Sequence, residues 1–320
     1  MTLDLVRVVV GLVLLLAGAW LTVRSAASLA ASFGISRVII GATVVAFGTS
    51  APEFVVSLLA ASRDSSAIAV GNVLGSNVAN VALVLGLSAA IAPVGVNQRL
   101  VRWEIPVLIG ATVVTLAFAA NGRLGHVEGA LMFLGLIAFV AISPRVWPEA
   151  AAAIEAEAAE TARELAPSTS ARLTEGGMLV AGLAALTFGA DTAVNGAVGI
   201  AERAGLSQAA IGATIVATGT SLPELATSVV AAWRREHEIA VANVVGSNIF
   251  NLLGVLGLTS ALVAMPIDQQ LFQFEMPALA LSTAILVPLA WPRYHIGRVE
   301  GVVLLVFYLV FIQGVLLRGI

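Results

Sequence analysis

Two glutamates stand inside long apolar stretches of this chain, and each directly follows a proline. Glu53 ends the segment Gly-Thr-Ser-Ala-Pro-Glu at 48–53, and Glu224 ends Gly-Thr-Ser-Leu-Pro-Glu at 219–224. A charged side chain at the centre of a membrane helix costs roughly 2.5–3.5 kcal/mol on insertion scales. Two such carboxylates at matching positions therefore predict a shared role, and we interpret them as a pair that binds cations in the middle of a membrane.

The composition is that of an integral membrane protein. Of the 320 residues, 59% are hydrophobic and 11% are charged, with a mean hydropathy of +1.00; soluble domains average about 25% charged residues. The chain has no cysteine, which excludes disulfides, thiolate metal sites and cysteine nucleophiles. A net charge of -3 argues against a nucleic-acid partner.

Ten apolar segments are long enough to cross a bilayer, which takes about 20 residues. They are predicted at 4–24, 36–61, 67–91, 104–120, 126–143, 177–200, 207–233, 239–264, 275–291 and 299–317. The fold class predicted is an all-α polytopic membrane protein with ten transmembrane helices.

The two halves of the chain superimpose at an offset of 171 residues. Ten of thirteen positions are identical between 41–53 and 212–224, and the block 71–80 matches 242–251 at the same offset. We predict a first five-helix repeat at 1–143 with its motif at 41–86, a linker at 144–176, and a second repeat at 177–320 with its motif at 212–257. Because five spans per repeat is an odd number, the repeats are expected to be inverted.

The basic residues indicate the orientation, and all sixteen of them are arginines. With the N-terminus outside, eleven arginines fall on the inner side and five on the outer side. By the positive-inside rule, both termini are predicted outside the cell membrane and the linker 144–176 in the cytoplasm. The linker is Ala/Glu-rich and is interpreted as a tether.

The first motif combines a disturbed backbone with polar side chains. Pro52 has no N–H and crowds the carbonyl of Gly48, so that carbonyl loses its helical partner. In a membrane such a group must face protein or a water-filled cavity. One helical face carries Thr43, Ala46, Ser50, Glu53 and Ser57, and the matching face carries Thr214, Ala217, Ser221, Glu224 and Ser228.

The second block adds amides to the carboxylates. Two polar stripes recur every four residues: Asn72, Ser76 and Asn80, and then Asn243, Ser247 and Asn251. Hydroxyl and amide oxygens coordinate hard cations, and Ca²⁺ takes six to eight oxygens. Two carboxylates would neutralise one Ca²⁺ or two Na⁺.

Each motif alone also has a purely structural interpretation. Proline in a membrane helix is often only a kink, and Gly71-x-x-x-Gly75 is often only a packing contact. The duplication of every polar position argues against that interpretation for the whole set. Asn77 and Asn248 lie off the stripes and are interpreted as contacts to neighbouring helices.

Five further acidic residues are interpreted as lying outside the central site. Glu104 and Glu275 match each other in the repeat and are expected at the membrane interface. Glu128 and Glu300 start apolar spans, where a carboxylate suits the helix dipole. Asp191 matches Trp20 in the repeat, so it lies outside the symmetric set and is expected at a helix end or vestibule.

These paired motifs resemble the alpha repeats of the cation/Ca²⁺ exchanger superfamily, in its sodium/calcium exchanger branch, and the resemblance extends over all ten spans. The chain is most similar to compact prokaryotic members. The resemblance implies two inverted five-helix repeats, a core of spans 2, 3, 7 and 8, and spans 1 and 6 that slide against it. The ion ligands implied are Glu53, Glu224, Thr49, Ser50, Thr220, Ser221, Ser76, Ser247, Asn80 and Asn251, with the backbone carbonyls of Ala46 and Ala217.

Asn80 and Asn251 are both amides, whereas some family members carry aspartate at one of these positions. The site then has two formal negative charges, so K⁺ co-transport is not carried over to this chain.

The function predicted is secondary antiport of Na⁺ and Ca²⁺. The alternative is proton-coupled Ca²⁺ exchange through the same carboxylates. An intramembrane enzyme is disfavoured because His126, His237 and His295 all fall near predicted loops, and no His-Glu-x-x-His motif is present. A channel is disfavoured by the closed, charged site. Beyond the transported ions and the bilayer, no cofactor or obligate protein partner is expected.

Overall fold

The computed structural model describes residues 1–143, 169–204, 217–291 and 293–318. Within these ranges the chain is mainly helical, with short strands between helices. The helices are α1 (Thr2–Phe33), α2 (Arg37–Thr49), α3 (Ala51–Ser62), α4 (Ser66–Ile91), α5 (Leu100–Ala119), α6 (His126–Ile142), α7 (Thr169–Arg203), α8 (Ala217–Gly219), α9 (Leu222–Trp233), α10 (His237–Leu262), α11 (Gln269–Ala290) and α12 (Arg298–Arg318).

Among the described residues, seven helices are long and apolar enough to cross a membrane: α1, α4, α5, α7, α10, α11 and α12. Helices α2 and α3 are together long and apolar enough for one further span, and they are bent by 44° at the break between them. Helix α6 is a shorter apolar helix, and most of the first half of the seventh predicted span, 207–216, lies outside the described residues. The chain is a multi-pass membrane protein.

Burial separates inner helices from outer ones. The most apolar 18-residue window of α10 is wholly buried, whereas in α12 only 22% of that window is buried. Large apolar side chains are exposed on α1 and α12, for example Leu12 and Leu309. Such faces suit contact with lipid, so α10 is the central helix and α1, α7 and α12 are peripheral.

Helices α1 and α7 pack against each other along their whole length through glycines. A Cβ atom added to Gly18 would lie 2.8 Å from the carbonyl oxygen of Gly182, and one added to Gly189 would lie 2.8 Å from the Leu15 nitrogen. At one end Arg203 pairs with Asp4, and at the other Arg172 donates to the Ser32 carbonyl. The two helices are therefore antiparallel.

Helix α7 begins before the predicted sixth span. It starts at Thr169 rather than near 177, so its first turns include residues assigned to the linker. The guanidinium of Arg172 stacks 5.1 Å from the Phe33 ring as well as bonding to Ser32, and these contacts continue the α1 packing beyond the apolar segment. The rest of the linker, 144–168, lies outside the described residues.

Gly18→Leu is expected to destabilise the protein, since the new side chain would meet backbone atoms of α7 that cannot move aside. Overpacking of this kind costs about 1–3 kcal/mol, measured as a lower midpoint of thermal unfolding in detergent. Gly176→Leu is the matched control, because a Cβ there meets nothing within 4 Å. Equal midpoints for the two variants would contradict the close packing described here.

Short strands and the last helix of each half pack against the other half of the chain. Strand β1 (Val94–Gly95) pairs with β4 (His295–Ile296), and β2 (Arg123–Leu124) pairs with β3 (Met265–Pro266). In the same way α6 packs on α10, where a Cβ on Gly129 would lie 2.6 Å from the Gly257 carbonyl oxygen. Helix α12 packs on α4 in the matching way, and a Cβ atom on Gly301 would lie 2.7 Å from the Gly86 carbonyl oxygen.

Thr112 and Thr283, which are 171 residues apart, face each other with their hydroxyl oxygens 3.2 Å apart. A residue that contacts its own counterpart lies near a local two-fold axis. The contacts between the halves thus recur in matching pairs around this point.

Candidate ion-binding site

Both Pro-Glu motifs begin a helix directly after a break. Ser50 interrupts α2 and α3 with φ -83° and ψ 5°, and Ser221 precedes α9 with φ -87° and ψ 6°. Proline suits the first turn of a helix, where its missing N–H needs no partner. Glu53 and Glu224 consequently stand in the first turn of α3 and α9, where the helix dipole favours negative charge.

The two carboxylates meet across the halves of the chain. Both side chains are fully buried, with 0% exposure. Ser50 Oγ donates to Glu224 Oε1 at 3.1 Å, and Ser221 Oγ donates to Glu53 Oε1 at 3.4 Å. Each motif therefore supplies the hydroxyl group that holds the carboxylate of the other motif.

One oxygen of each carboxylate has no hydrogen-bond partner among the described residues. These atoms are Glu53 Oε2 and Glu224 Oε2, and both are buried. A buried charged oxygen without a partner is costly unless a cation or donor compensates it. Each carboxylate therefore keeps one oxygen that is available as a ligand for a positively charged species.

Neutral oxygens surround the Glu224 end of the pair. Thr49 Oγ1 lies 3.2 Å from Asn243 Oδ1 and 3.3 Å from Ser247 Oγ. Ser247 and Thr49 also lie beside the Glu224 carboxylate. Asn243 is held in place because its Nδ2 donates to Ser228 Oγ at 3.1 Å.

The Glu53 end repeats this arrangement with the counterparts 171 residues away. Thr220 Oγ1 lies 3.4 Å from Asn72 Oδ1 and 3.5 Å from Ser76 Oγ. Asn72 Nδ2 donates to Ser57 Oγ at 3.0 Å and to the Glu53 carbonyl at 3.3 Å. Asn72 and Asn243 are part of the predicted polar stripes but are not among the ligands that the resemblance implies. Their spacing of four residues from Ser76 and Ser247 is the sequence feature that assigns them to the site.

Asn80 and Asn251 begin or lie within π-helical turns, Asn80–Leu85 and Phe250–Leu256. Asn80 Nδ2 donates to Asn248 Oδ1 at 3.0 Å, so this amide connects α4 with α10. Asn251 is fully buried, and neither of its amide atoms has a hydrogen-bond partner among the described residues. Of the two matched amides, Asn80 therefore forms a hydrogen bond between helices, whereas Asn251 has none among the described residues.

The predicted carbonyl ligands are only partly described. The Ala46 carbonyl accepts from the Ser50 N–H at 3.0 Å and from Thr49 Oγ1 at 3.3 Å, and therefore lies beside the hydroxyl pair. Ala217 begins the short helix α8, its side chain is outside the described set, and Thr214 lies outside the described residues altogether. Asn248 contacts a neighbouring helix, since its Nδ2 donates to the Asn77 carbonyl at 3.1 Å, whereas the Asn77 side chain donates to the Val73 carbonyl of its own helix at 2.7 Å.

The chemistry of these donors fits a hard cation. In the described part of the chain no group of three or more His, Cys, Asp or Glu side chains is placed to hold a metal ion. The donors near Glu53 and Glu224 are instead carboxylate, hydroxyl, amide and carbonyl oxygens, which suit Na⁺ and Ca²⁺ rather than transition metals.

A family model described as sodium/calcium exchanger protein matches residues 3–144 and 175–317. This chain belongs to the sodium/calcium exchanger family. The sodium/calcium exchanger MaX1 of Methanosarcina acetivorans is 31% identical over 343 aligned positions, which cover 97% of this chain and 98% of that protein. The inner membrane protein YrbG of Escherichia coli is 34% identical, covering 95% of this chain and 94% of that protein.

A solved structure has the same fold as this family member. It is the sodium-calcium exchanger NCX_Mj soaked with zero Na⁺ and Ca²⁺, with a TM-score of 0.84, 30% sequence identity, and coverage of 98% of this chain and 99% of that chain. The family is one of membrane exchangers and not of enzymes.

In this family member the two ends of the site are covered unequally. Asn72 and Thr220 are half-buried and, with Ser76, line a cavity of about 240 Å³. Their counterparts Asn243 and Thr49 are at most 1% exposed. Among the described residues, a cavity therefore borders the Glu53 end of the site, whereas the matching residues at the Glu224 end are buried.

Glycine allows close packing in the second motif block. A Cβ atom on Gly246 would lie 2.6 Å from the Cα of Ala42, so α10 is packed closely against α2. The segment that matches this part of α2 in the second half lies outside the described residues.

Proposed function

We propose that this chain is a secondary-active antiporter that exchanges Na⁺ for Ca²⁺ by alternating access. One observation carries the proposal: Glu53 and Glu224 are fully buried together, and each keeps one carboxylate oxygen without a partner among the described residues. The names of the matching family and of MaX1 support these two ions as the cargo.

The charge of the site supports the same pair of ions. Two carboxylates neutralise one Ca²⁺ or two Na⁺, so either load enters a low-dielectric region as a neutral assembly. A third carboxylate is missing because Asn80 and Asn251 are amides. The two loads therefore compete for the same negative charge, which is the basis of exchange.

The proposed ligands combine the two matched sets of oxygens. They are Glu53, Glu224, Thr49, Ser50, Thr220, Ser221, Ser76, Ser247, Asn80 and Asn251, with the carbonyls of Ala46 and Ala217. The hydrogen bonds between Thr49 and Asn243 and between Thr220 and Asn72 support adding these two asparagines. No enzymatic activity and no cofactor are proposed.

The proposed architecture has ten transmembrane helices in two inverted five-helix repeats, 1–143 and 177–320, joined by the linker 144–176. It is supported by the antiparallel packing of the matched helices α1 and α7 and by the contacts that recur at an offset of 171. Alternating access would move the α1/α7 pair against the inner helices. The tight mutual packing of this pair and its exposed outer faces support that assignment.

With both termini outside the cell membrane, as the arginines predict, the cavity opens to the outside. Its wall includes Ile68 near the start of α4 and Val315 near the end of α12, and both positions lie toward the outer side in this orientation. The state described would then be the one that receives ions from outside.

The test is Ca²⁺ flux into liposomes that hold the purified protein, with Na⁺, K⁺ and H⁺ gradients imposed separately. We expect radiolabelled Ca²⁺ uptake only with a Na⁺ gradient, saturating with Ca²⁺ and requiring Na⁺ on the opposite side. Uptake driven by a pH gradient in Na⁺-free medium would instead assign proton coupling. Non-saturating flux without a counter-ion would indicate a channel and overturn antiport.

A further inference from the structure

Two glutamates outside the central site occupy matching positions in the halves but have different surroundings. Glu104 starts the apolar part of α5, and Glu275, 171 residues later, starts that of α11. Glu104 was expected at the membrane interface, and its depth in the membrane stays a prediction. The structure buries it fully among other residues, and its Oε1 accepts from Arg99 Nε at 2.8 Å. Arg99 thus compensates the charge of Glu104 inside the protein.

Glu275 has no such partner. The residue that matches Arg99 is Gln270. Ser143, whose hydroxyl accepts from Arg99 at 2.9 Å, is matched by Val315, because the offset between the repeats becomes 172 in their last helices. Among the described residues no Arg, His or terminal amine lies within 4.0 Å of the Glu275 carboxylate, and its Oε2 is buried without a hydrogen-bond partner. The charged groups that act on Glu275 at longer range are Arg318, whose guanidinium stacks on the Phe274 ring at 3.9 Å, and Asp268.

Glu275 lines the same cavity as Asn72, Ser76 and Thr220. Those three residues form the open end of the central site, so one continuous space joins Glu275 to it. The other walls are mainly apolar and come from α3, α4 and α12, including Ile68, Phe311, Ile312 and Val315. A single negative charge in an apolar-walled cavity concentrates the electric field there and raises the local concentration of cations.

We propose that Glu275 is an outer cation site at which Ca²⁺ binds before it moves to Glu53 and Glu224. The site rests on the proposed function, since it lies on the path to the central ligands. It is weaker than the central site because one carboxylate replaces two. Its counterpart Glu104 is kept out of this role in the described state by its ion pair with Arg99.

The test is Glu275→Gln in liposomes, with initial rates of Na⁺-driven Ca²⁺ uptake measured from the cavity side. We expect the half-saturating Ca²⁺ concentration to rise roughly three- to tenfold at low ionic strength, with little change in maximal rate. The difference should shrink at high ionic strength, because salt screens charge steering. Glu275→Asp should retain most of the wild-type behaviour.

Asp64→Asn is the matched control, since it removes a charge from the same predicted face at an exposed residue outside the cavity lining. Ca²⁺-induced stabilisation of the detergent-purified variant reports the central site separately. The proposal is overturned if Glu275→Gln leaves half-saturation unchanged, acts equally at all ionic strengths, or weakens the stabilisation itself. Failure of the wild-type protein to exchange Ca²⁺ at all would instead refute the proposed function.

Discussion

Glu224→Gln is expected to reduce Na⁺-driven Ca²⁺ exchange by about 100-fold or more. Removing one charged partner of a buried ion costs roughly 3 kcal/mol, and each 1.4 kcal/mol is a factor of ten. Glutamine keeps the shape of the side chain and an oxygen for Ser50, whose hydroxyl lies 3.1 Å from Glu224 Oε1. The loss would therefore report charge rather than packing. Glu53→Gln should act alike, since Ser221 holds Glu53 in the same way.

The measurement is radiolabelled Ca²⁺ uptake into liposomes, alongside thermal unfolding to show that each variant is folded. Asp191→Asn is the control, because Asp191 is also a carboxylate on a membrane helix but is exposed and bonded to Asn195 at 3.0 Å. We expect that control to exchange within about twofold of the wild type. Exchange at the wild-type rate by Glu53→Gln and Glu224→Gln would remove the basis of the proposed function.

Arg99→Met is expected to cause the largest loss of stability. Arg99 is 3% exposed and Glu104 is 0% exposed, so the substitution would leave Glu104 buried without its partner. Breaking a buried ion pair costs about 3–5 kcal/mol, whereas replacing both partners by apolar residues is often neutral. The double variant Arg99→Met/Glu104→Leu should therefore recover most of the loss.

Thermal unfolding in detergent measures this effect, with an expected fall on the order of 10 °C for the single variant. Arg293→Met is the control: its pair with Glu300 is 3.7 Å long and its side chain is 79% exposed, and such surface pairs contribute about 0–1 kcal/mol. If Arg99→Met unfolded at the same temperature as this control, the buried pair would have no structural role.

Many residues of the candidate site could be predicted from the sequence because the two repeats of the chain can be compared with each other. The matching positions of Glu53 and Glu224, the polar stripes and the breaks at the Pro-Glu motifs could all be predicted from spacing. The hydrogen bonds between the motifs could not be predicted. The helical faces read from the sequence do not reveal that Ser50 bonds to Glu224 rather than to Glu53. That pairing depends on how the two halves cross.

The buried pair of Arg99 and Glu104 was missed for a different reason. Residues five apart are not neighbours on an α-helix, where contacts fall at three and four residues. Leu100–Glu104 is a π-helical turn, whose hydrogen bonds span five residues and which brings Arg99 and Glu104 together. The register of α5 thus depends on a local backbone change that apolar periodicity does not report.

The exchanged packing of α6 and α12 has a consequence for biosynthesis. The surface of α6 around Gly129 is covered by α10, and α10 leaves the ribosome only after the linker and the helices α7, α8 and α9. When the first half has been synthesised, its last helix still lacks the neighbour that completes it. The first half is therefore completed only when α10 has been synthesised, and α12, which packs on α4, is synthesised later still.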